Sequence, residues 1–223
     1  RMFHSSFLGT VAAILLAFEG HHFVHSRTGL LDLIVMFWGL AGFAFLLIDR
    51  DASRTALAAR VAALSRDQLG RFGPSTGWRP YRWAAGLCLG LATGTKWSGV
   101  YFVIVFGLMT VLWDMGARRA AGIPGWRTAW LVKDAPVAFI SIVGTTVVTY
   151  CLCWWGWFVS SDGYNRHWAD THGSTRWGWI PGSVRSLWNY HAQILEFHTH
   201  LTSFHPYKTN PWSWLIQGRP TSF

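Results

Sequence analysis

Long apolar runs alternate along the chain with short polar, mostly basic ones. Residues 7–18 are apolar, and extension through Glu19 to Val24 brings the segment to about a bilayer's thickness. Residues 29–48 form a second apolar run whose one charge, Asp32, lies near its start. Residues 49–83 are basic, with Leu57, Val61 and Leu64 at helical spacing and arginines on the other face. That pattern predicts an amphipathic helix on a membrane surface, ended by Gly73-Pro74 and Arg79-Pro80. A third apolar run covers 84–113, a second basic loop covers 114–134, and 135–153 is a further span. Trp154, Trp155 and Trp157 follow it as an aromatic girdle.

Lys96 interrupts the third run and decides the topology. A single crossing by 84–113 would be a helix of about 45 Å against a hydrocarbon core of about 30 Å, with the two basic loops on opposite sides. A hairpin with legs 84–95 and 98–113 puts both basic loops on one side, as the positive-inside rule favours. The predicted fold is therefore an all-α polytopic membrane helix bundle with transmembrane helices at 7–24, 29–48, 84–95, 98–113 and 135–153. Loops 49–83 and 114–134 are cytoplasmic, and 154–223 is an external loop region with nine of the sixteen tryptophans and six of the ten histidines. Gly86, Gly90 and Gly94 share one face of the first leg and suit close helix packing.

Composition agrees with this and excludes a soluble domain: 51% of residues are hydrophobic and 13% charged. The net charge of +9 sits in the loops and matches no nucleic-acid-binding module. Cys88, Cys151 and Cys153 lie in or beside apolar runs with no zinc-type spacing, so they read as small hydrophobes.

In this topology Arg27, Asp32 and Lys96 all lie at the outer membrane face. Two cations there suit an anion such as a lipid phosphate, Arg27 by bidentate bonds and Lys96 as a point charge. The competing readings are snorkelling to headgroups and an Arg27–Asp32 pair. Glu19 and Asp32 are the weak catalytic candidates by location, as carboxylates able to take a proton from an incoming hydroxyl. The histidines have poor ligand spacing (His198 and His200 are two apart on a probable helix and face different ways), and no metal site is predicted.

Several stretches carry a family resemblance together. They are His22-Phe-Val-His-Ser-Arg-Thr-Gly-Leu-Leu-Asp32, Gly94-Thr-Lys-Trp-Ser-Gly99, Trp157-Phe-Val-Ser-Ser-Asp-Gly-Tyr164 and the run from His205-Pro-Tyr-Lys to Gln-Gly-Arg219-Pro220. They resemble the bacterial, actinobacterial-type protein O-mannosyltransferases, the polyprenyl-phosphate-mannose–protein mannosyltransferase family of GT-C fold. The resemblance implies transfer of mannose, with inversion, from polyprenyl-phosphate-mannose to Ser or Thr hydroxyls of exported proteins. It implies a multi-pass protein of the bacterial plasma membrane with its active face external, and no cofactor beyond the lipid-linked donor. Arg27 and Lys96 become donor-phosphate candidates, and His205, Trp212 and Arg219 candidates for an acceptor or structural loop. The family's catalytic Asp-Glu pair lies upstream of these motifs, and no Asp-Glu dipeptide occurs in this chain. Where relatives carry Asp-Gly, this chain has Glu19-Gly20. The expectation is a partial chain, covering the third to seventh helices and the following loop, inactive by itself. The alternatives are another lipid-phosphosugar GT-C transferase with a glycan or glycolipid acceptor, or a non-catalytic transporter or partner subunit. A transporter should carry internal repeats and midplane charges, and neither is found.

Overall fold

Ser5 opens the first helix by accepting the Leu8 N–H on its hydroxyl, a standard N-cap. In the computed structural model, which describes residues 2, 5–65, 67–172, 178–202 and 210–216, every regular element among the described residues is helical. They form two units, Arg1–Trp155 and Gly156–Phe223.

The first unit holds α1 (Ser6–Ala17), α2 (Gly20–Arg27), α3 (Asp32–Ala62), α4 (Pro80–Thr95), α5 (Gly99–Ala120) and α6 (Trp126–Cys153). Helices α3, α5 and α6 are long and apolar enough to cross a membrane. Helix α4 has only 16 residues, about 24 Å, but it is the most enclosed. Ala85, Leu89 and Ala92 are fully buried, and Leu46, Val103 and Ile142 close around them from α3, α5 and α6. A helix walled by protein has no need of a lipid-facing length.

Polar contacts at both ends fix the helix directions. At one end Lys96 meets Asp32 and Trp97 meets Tyr150. At the other, Arg79 and Arg82 reach Asp49 and Asp114, and Arg118 reaches Asp134. Neighbours in sequence therefore run antiparallel. The 17 residues from Asp32 to Asp49 and the 16 from Asp134 to Tyr150 place the two polar layers roughly 24–26 Å apart. That is slightly less than a hydrocarbon core of about 30 Å. Between the layers, side chains such as Leu108, Leu112, Phe139 and Val148 stay exposed. Two stretches of α6, Trp130–Asp134 and Phe139–Gly144, widen to π-helix on either side of Pro136, which has no N–H to give.

Element boundaries differ from the sequence expectation in five places: α6 begins at Trp126 and not at 135, so the end of the stretch expected as a second basic loop is helix, and the other four differences each have a local reason. The span expected at 7–24 is two helices, because Glu19 turns back to accept the His22 N–H at 2.6 Å and starts α2. Helix α3 does not stop at 48. Its buried stripe Val35, Gly39, Gly42, Leu46 continues in register through Asp49, Ser53 and Leu57, so 49–62 continues the same helix past the polar layer and is no separate element. Pro80, taken as a breaker, occupies the first turn of α4, where a missing N–H does no harm. Helix α5 runs on to Ala120 because Asp114 and Arg118 are buried ion partners, not loop charges.

The second unit contains a short helix begun at the end of the first, α7 (Trp155–Val159), then α8 (Trp168–His172), α9 (Gly182–His200) and a 3₁₀ turn (Pro211–Ile216). Ser186 is fully buried and accepts the Ala169 N–H, joining α9 to α8.

Candidate functional site

The turn from α4 to α5 is three residues long, Lys96 to Ser98. Lys96 is extended at φ −155°, ψ 135°, and its N–H still closes on the Ala92 carbonyl. Its own carbonyl accepts the Gly99 N–H at 2.9 Å, which restarts the chain as α5. Gly99 is required here: a Cβ would lie 2.5 Å from the Thr93 nitrogen. The Gly-Thr-Lys-Trp-Ser-Gly sequence is thus a tight reversal with its lysine turned outward.

Lys96 Nζ donates to Asp32 Oδ1 at 2.7 Å, and both side chains are about half exposed, 47% and 50%. An exposed pair of this kind contributes about 0–1 kcal/mol, so an incoming anion displaces it at small cost. Next along the turn, the Trp97 indole donates to the Tyr150 hydroxyl of α6 at 3.0 Å. Beside that bond a cavity of about 730 Å³ opens, lined by Thr93, Trp97, Tyr101, Val103, Val147 and Tyr150 among others. Its wall is apolar apart from a few hydroxyls, and Trp97 and Ser98, the two residues after Lys96, are part of its lining. A charged head beside an apolar slot is the arrangement an amphiphile with an anionic headgroup needs.

Of the residues selected from sequence, the structure brings Lys96 and Asp32 into contact. The Arg27–Asp32 pair considered from sequence is replaced by this one. Arg27 ends α2 with its guanidinium 4.9 Å from the Phe23 ring centre. Glu19 serves as the cap of α2. Trp212 is 82% exposed in the 3₁₀ turn of the second unit, its N–H held by Asn210 Oδ1. His205 and Arg219 lie outside the described residues. Sequence reasoning missed Tyr150 and the cavity, because Trp97 and Tyr150 are 53 residues apart and no local pattern links them.

Tyr150→Phe removes the acceptor of the Trp97 indole and leaves the rings in place. The expected loss is about 1 kcal/mol of unfolding free energy. Denaturant titration in detergent micelles reads it, and an unchanged midpoint would show that the bond adds nothing.

A family model described as dolichyl-phosphate-mannose-protein mannosyltransferase matches residues 1–155, ending where the first unit ends. A polyprenol-phosphate-mannose–protein mannosyltransferase of Mycolicibacterium smegmatis is 36% identical over 234 residues, covering 100% of this chain and 44% of that protein. Proteins of the same name from Mycobacterium tuberculosis and Corynebacterium glutamicum are each 34% identical, over 100% and 99% of this chain and 44% of their own length. The chain therefore spans less than half the length of these curated relatives. No solved structure matches it.

Proposed function

The chain belongs to the dolichyl-phosphate-mannose-protein mannosyltransferase family, and on that premise we propose that it is the donor-binding part of a polyprenyl-phosphate-mannose–protein mannosyltransferase. One observation carries the reading: the three-residue turn that bears Lys96 also supplies Trp97 and Ser98 to the lining of the apolar cavity. The donor is an amphiphile, with a negative phosphodiester between a sugar and a long isoprenoid. Its chain takes the cavity wall of Val103, Val147 and Tyr101, and its phosphate takes Lys96 in place of Asp32. Arg27 is the second cation offered to that phosphate from the end of α2.

In the transfer, the bond from the sugar anomeric carbon to the phosphate oxygen breaks as a Ser or Thr hydroxyl of an exported protein attacks the opposite face. The electron pair leaves with the polyprenyl phosphate, and a cation fixed at that oxygen stabilises the growing charge. The hydroxyl proton goes to a carboxylate that the longer protein supplies, as the resemblance implies for its Asp-Glu pair. The working side is the outer face of the plasma membrane. Support comes from the arginine-rich opposite end, with Arg50, Arg54, Arg60 and Arg71, which suits the cytoplasm. His205, Trp212 and Arg219 are offered as part of the acceptor or structural loop.

The test uses the full-length protein. Lys96→Met should lower kcat/KM for labelled polyprenyl-phosphate-mannose about 10- to 100-fold, the loss of a hydrogen bond to a charged group. Lys96→Arg should recover most of it, and Asp32→Asn should leave donor affinity equal or tighter. Wild-type transfer by Lys96→Met at normal membrane levels would reject the reading.

A further inference from the structure

Two arginines flank one indole at the end of the first unit opposite Lys96, and a third stands beside them. Arg119, in the last turn of α5, and Arg127, in the first turn of α6, each hold the guanidinium carbon 5.3 Å from the Trp126 ring centre. Arg71 arrives from the loop between α3 and α4. Its carbonyl accepts the Gly125 N–H at 2.8 Å, and its side chain passes so near that a Cβ on Gly125 would lie 3.0 Å from Arg71 Cγ. Its own guanidinium lies over Phe72 at 5.5 Å. A guanidinium stacked on a ring is held in place and keeps its N–H edge for an anion. All three arginines are exposed, and among the described residues no carboxylate pairs with any of them. The acids of this end are engaged elsewhere: Asp51 with Arg50, Asp49 and Asp114 with Arg79 and Arg82, and Asp134 with Arg118. Asp67, in the same loop as Arg71, makes no ion pair with the three.

We infer that Arg71, Arg119 and Arg127, gathered around Trp126, hold the headgroup phosphate of an anionic phospholipid such as phosphatidylglycerol. Three uncompensated cations set the sign of the ligand, and the helix that carries one of them sets its class. From Arg127, α6 runs directly into exposed Leu131 and Val132, and then into exposed Phe139 and Ile140. Headgroup cations and an apolar face for acyl chains therefore lie on one helix of one unit. Depth agrees. Arg127 precedes Asp134 of the inner polar layer by seven residues, about 10 Å along the helix. With the bilayer centred between the two polar layers, its backbone stands about 22 Å from the midplane, at the outer edge of the headgroup zone. The arginine side chain reaches back from there to the phosphates. Basic pockets between transmembrane helices bind anionic headgroups in this way. The site is at the far end of the helices from the proposed donor site and does not depend on it.

The experiment titrates the full chain, in a mild non-ionic detergent, with phosphatidylglycerol and phosphatidylcholine of matched acyl chains, and native mass spectrometry reads the bound lipid. The parent should prefer phosphatidylglycerol about 10-fold or more at low salt, and less at high salt. Arg119→Gln with Arg127→Gln should weaken phosphatidylglycerol binding about 30-fold, about fivefold for each arginine, and leave phosphatidylcholine unchanged. Arg119→Lys with Arg127→Lys keeps the charge and should retain most of the preference. Arg54→Gln with Lys133→Gln removes two other exposed charges of the same end and should bind as the parent does. Equal binding of the two lipids by the parent, or an equal fall in both glutamine pairs, would overturn the inference. So would parental phosphatidylglycerol binding by Arg119→Gln with Arg127→Gln.

Discussion

Arg82→Met is expected to remove about 3–5 kcal/mol of stability, the usual consequence of leaving a buried charge without its partner. Arg82 has no exposed surface, and its Nη2 lies 2.6 Å from Asp114. Arg79 bridges the same two carboxylates, meeting Asp114 at 2.7 and 2.8 Å and also bonding Asp49. Burial works against the Arg79 charge, yet the bonds and charges of Asp49 and Asp114 outweigh it and raise its pKa. Two arginines and two aspartates make the set neutral, and it ties α3, α5 and the start of α4 into one knot. Removal of Arg82 leaves a net negative charge with no water to screen it. The charge-balanced double variant Arg82→Met with Asp114→Asn should recover part of the loss, because neutral groups tolerate burial better than an unpaired ion. Titration into denaturing detergent measures Arg82→Met, Asp114→Asn and the double variant. A single variant within 1 kcal/mol of the parent, or a double as poor as the sum of its parts, would contradict a closed ionic set.

These four residues show where a sequence stops being legible. Asp49, Arg79, Arg82 and Asp114 stand at the edges of apolar runs and look like loop charges. Their partners are 30–35 residues away, and no period connects them. The same blindness ended α3 at 48 on paper. Charge does not stop a helix, and the Ala-rich stretch from 52 to 63 favours one. The buried stripe of α3 keeps helical spacing from Val35 to Leu57, but Gly39, Gly42, Asp49 and Ser53 disguise it as non-apolar. Lys96 was legible because a lone charge within a long apolar run needs an explanation. Its partner Asp32 was legible as a position and not as a partner, since the contact closes over 64 residues. Interhelical space, such as the cavity beside Trp97 and Tyr150, leaves no trace in one-dimensional pattern.

The glycines of α4 had a readable spacing, and their neighbour sets the second large effect. A Cβ at Gly86 would lie 2.4 Å from the Ser141 carbonyl oxygen, and one at Gly90 would lie 2.4 Å from the Thr149 Cβ. One at Gly94 would lie 2.7 Å from the Cys153 sulfur. All three obstacles belong to α6, and the first is backbone, so no rotamer change relieves it. Thr146 exploits the approach by donating to the Gly86 carbonyl at 3.1 Å. Gly86→Ala should therefore cost about 1–3 kcal/mol, and Gly90→Val, with two methyl groups against Thr149, about 3 kcal/mol. Gly107 and Gly116 of α5 supply the control, since a Cβ at either meets nothing within 4 Å. There alanine should be neutral or stabilising by about 0.5–1 kcal/mol through helix propensity. If Gly90→Val unfolds at the same detergent fraction as Gly107→Ala, the α4–α6 contact is not close in solution. If it fails as expected, the damage extends to the site, because α4 ends at Lys96 and α6 carries Tyr150. Forcing the two helices apart separates the cation from the cavity wall, so in the full-length protein donor affinity should fall with stability in Gly90→Val and hold in Gly107→Ala.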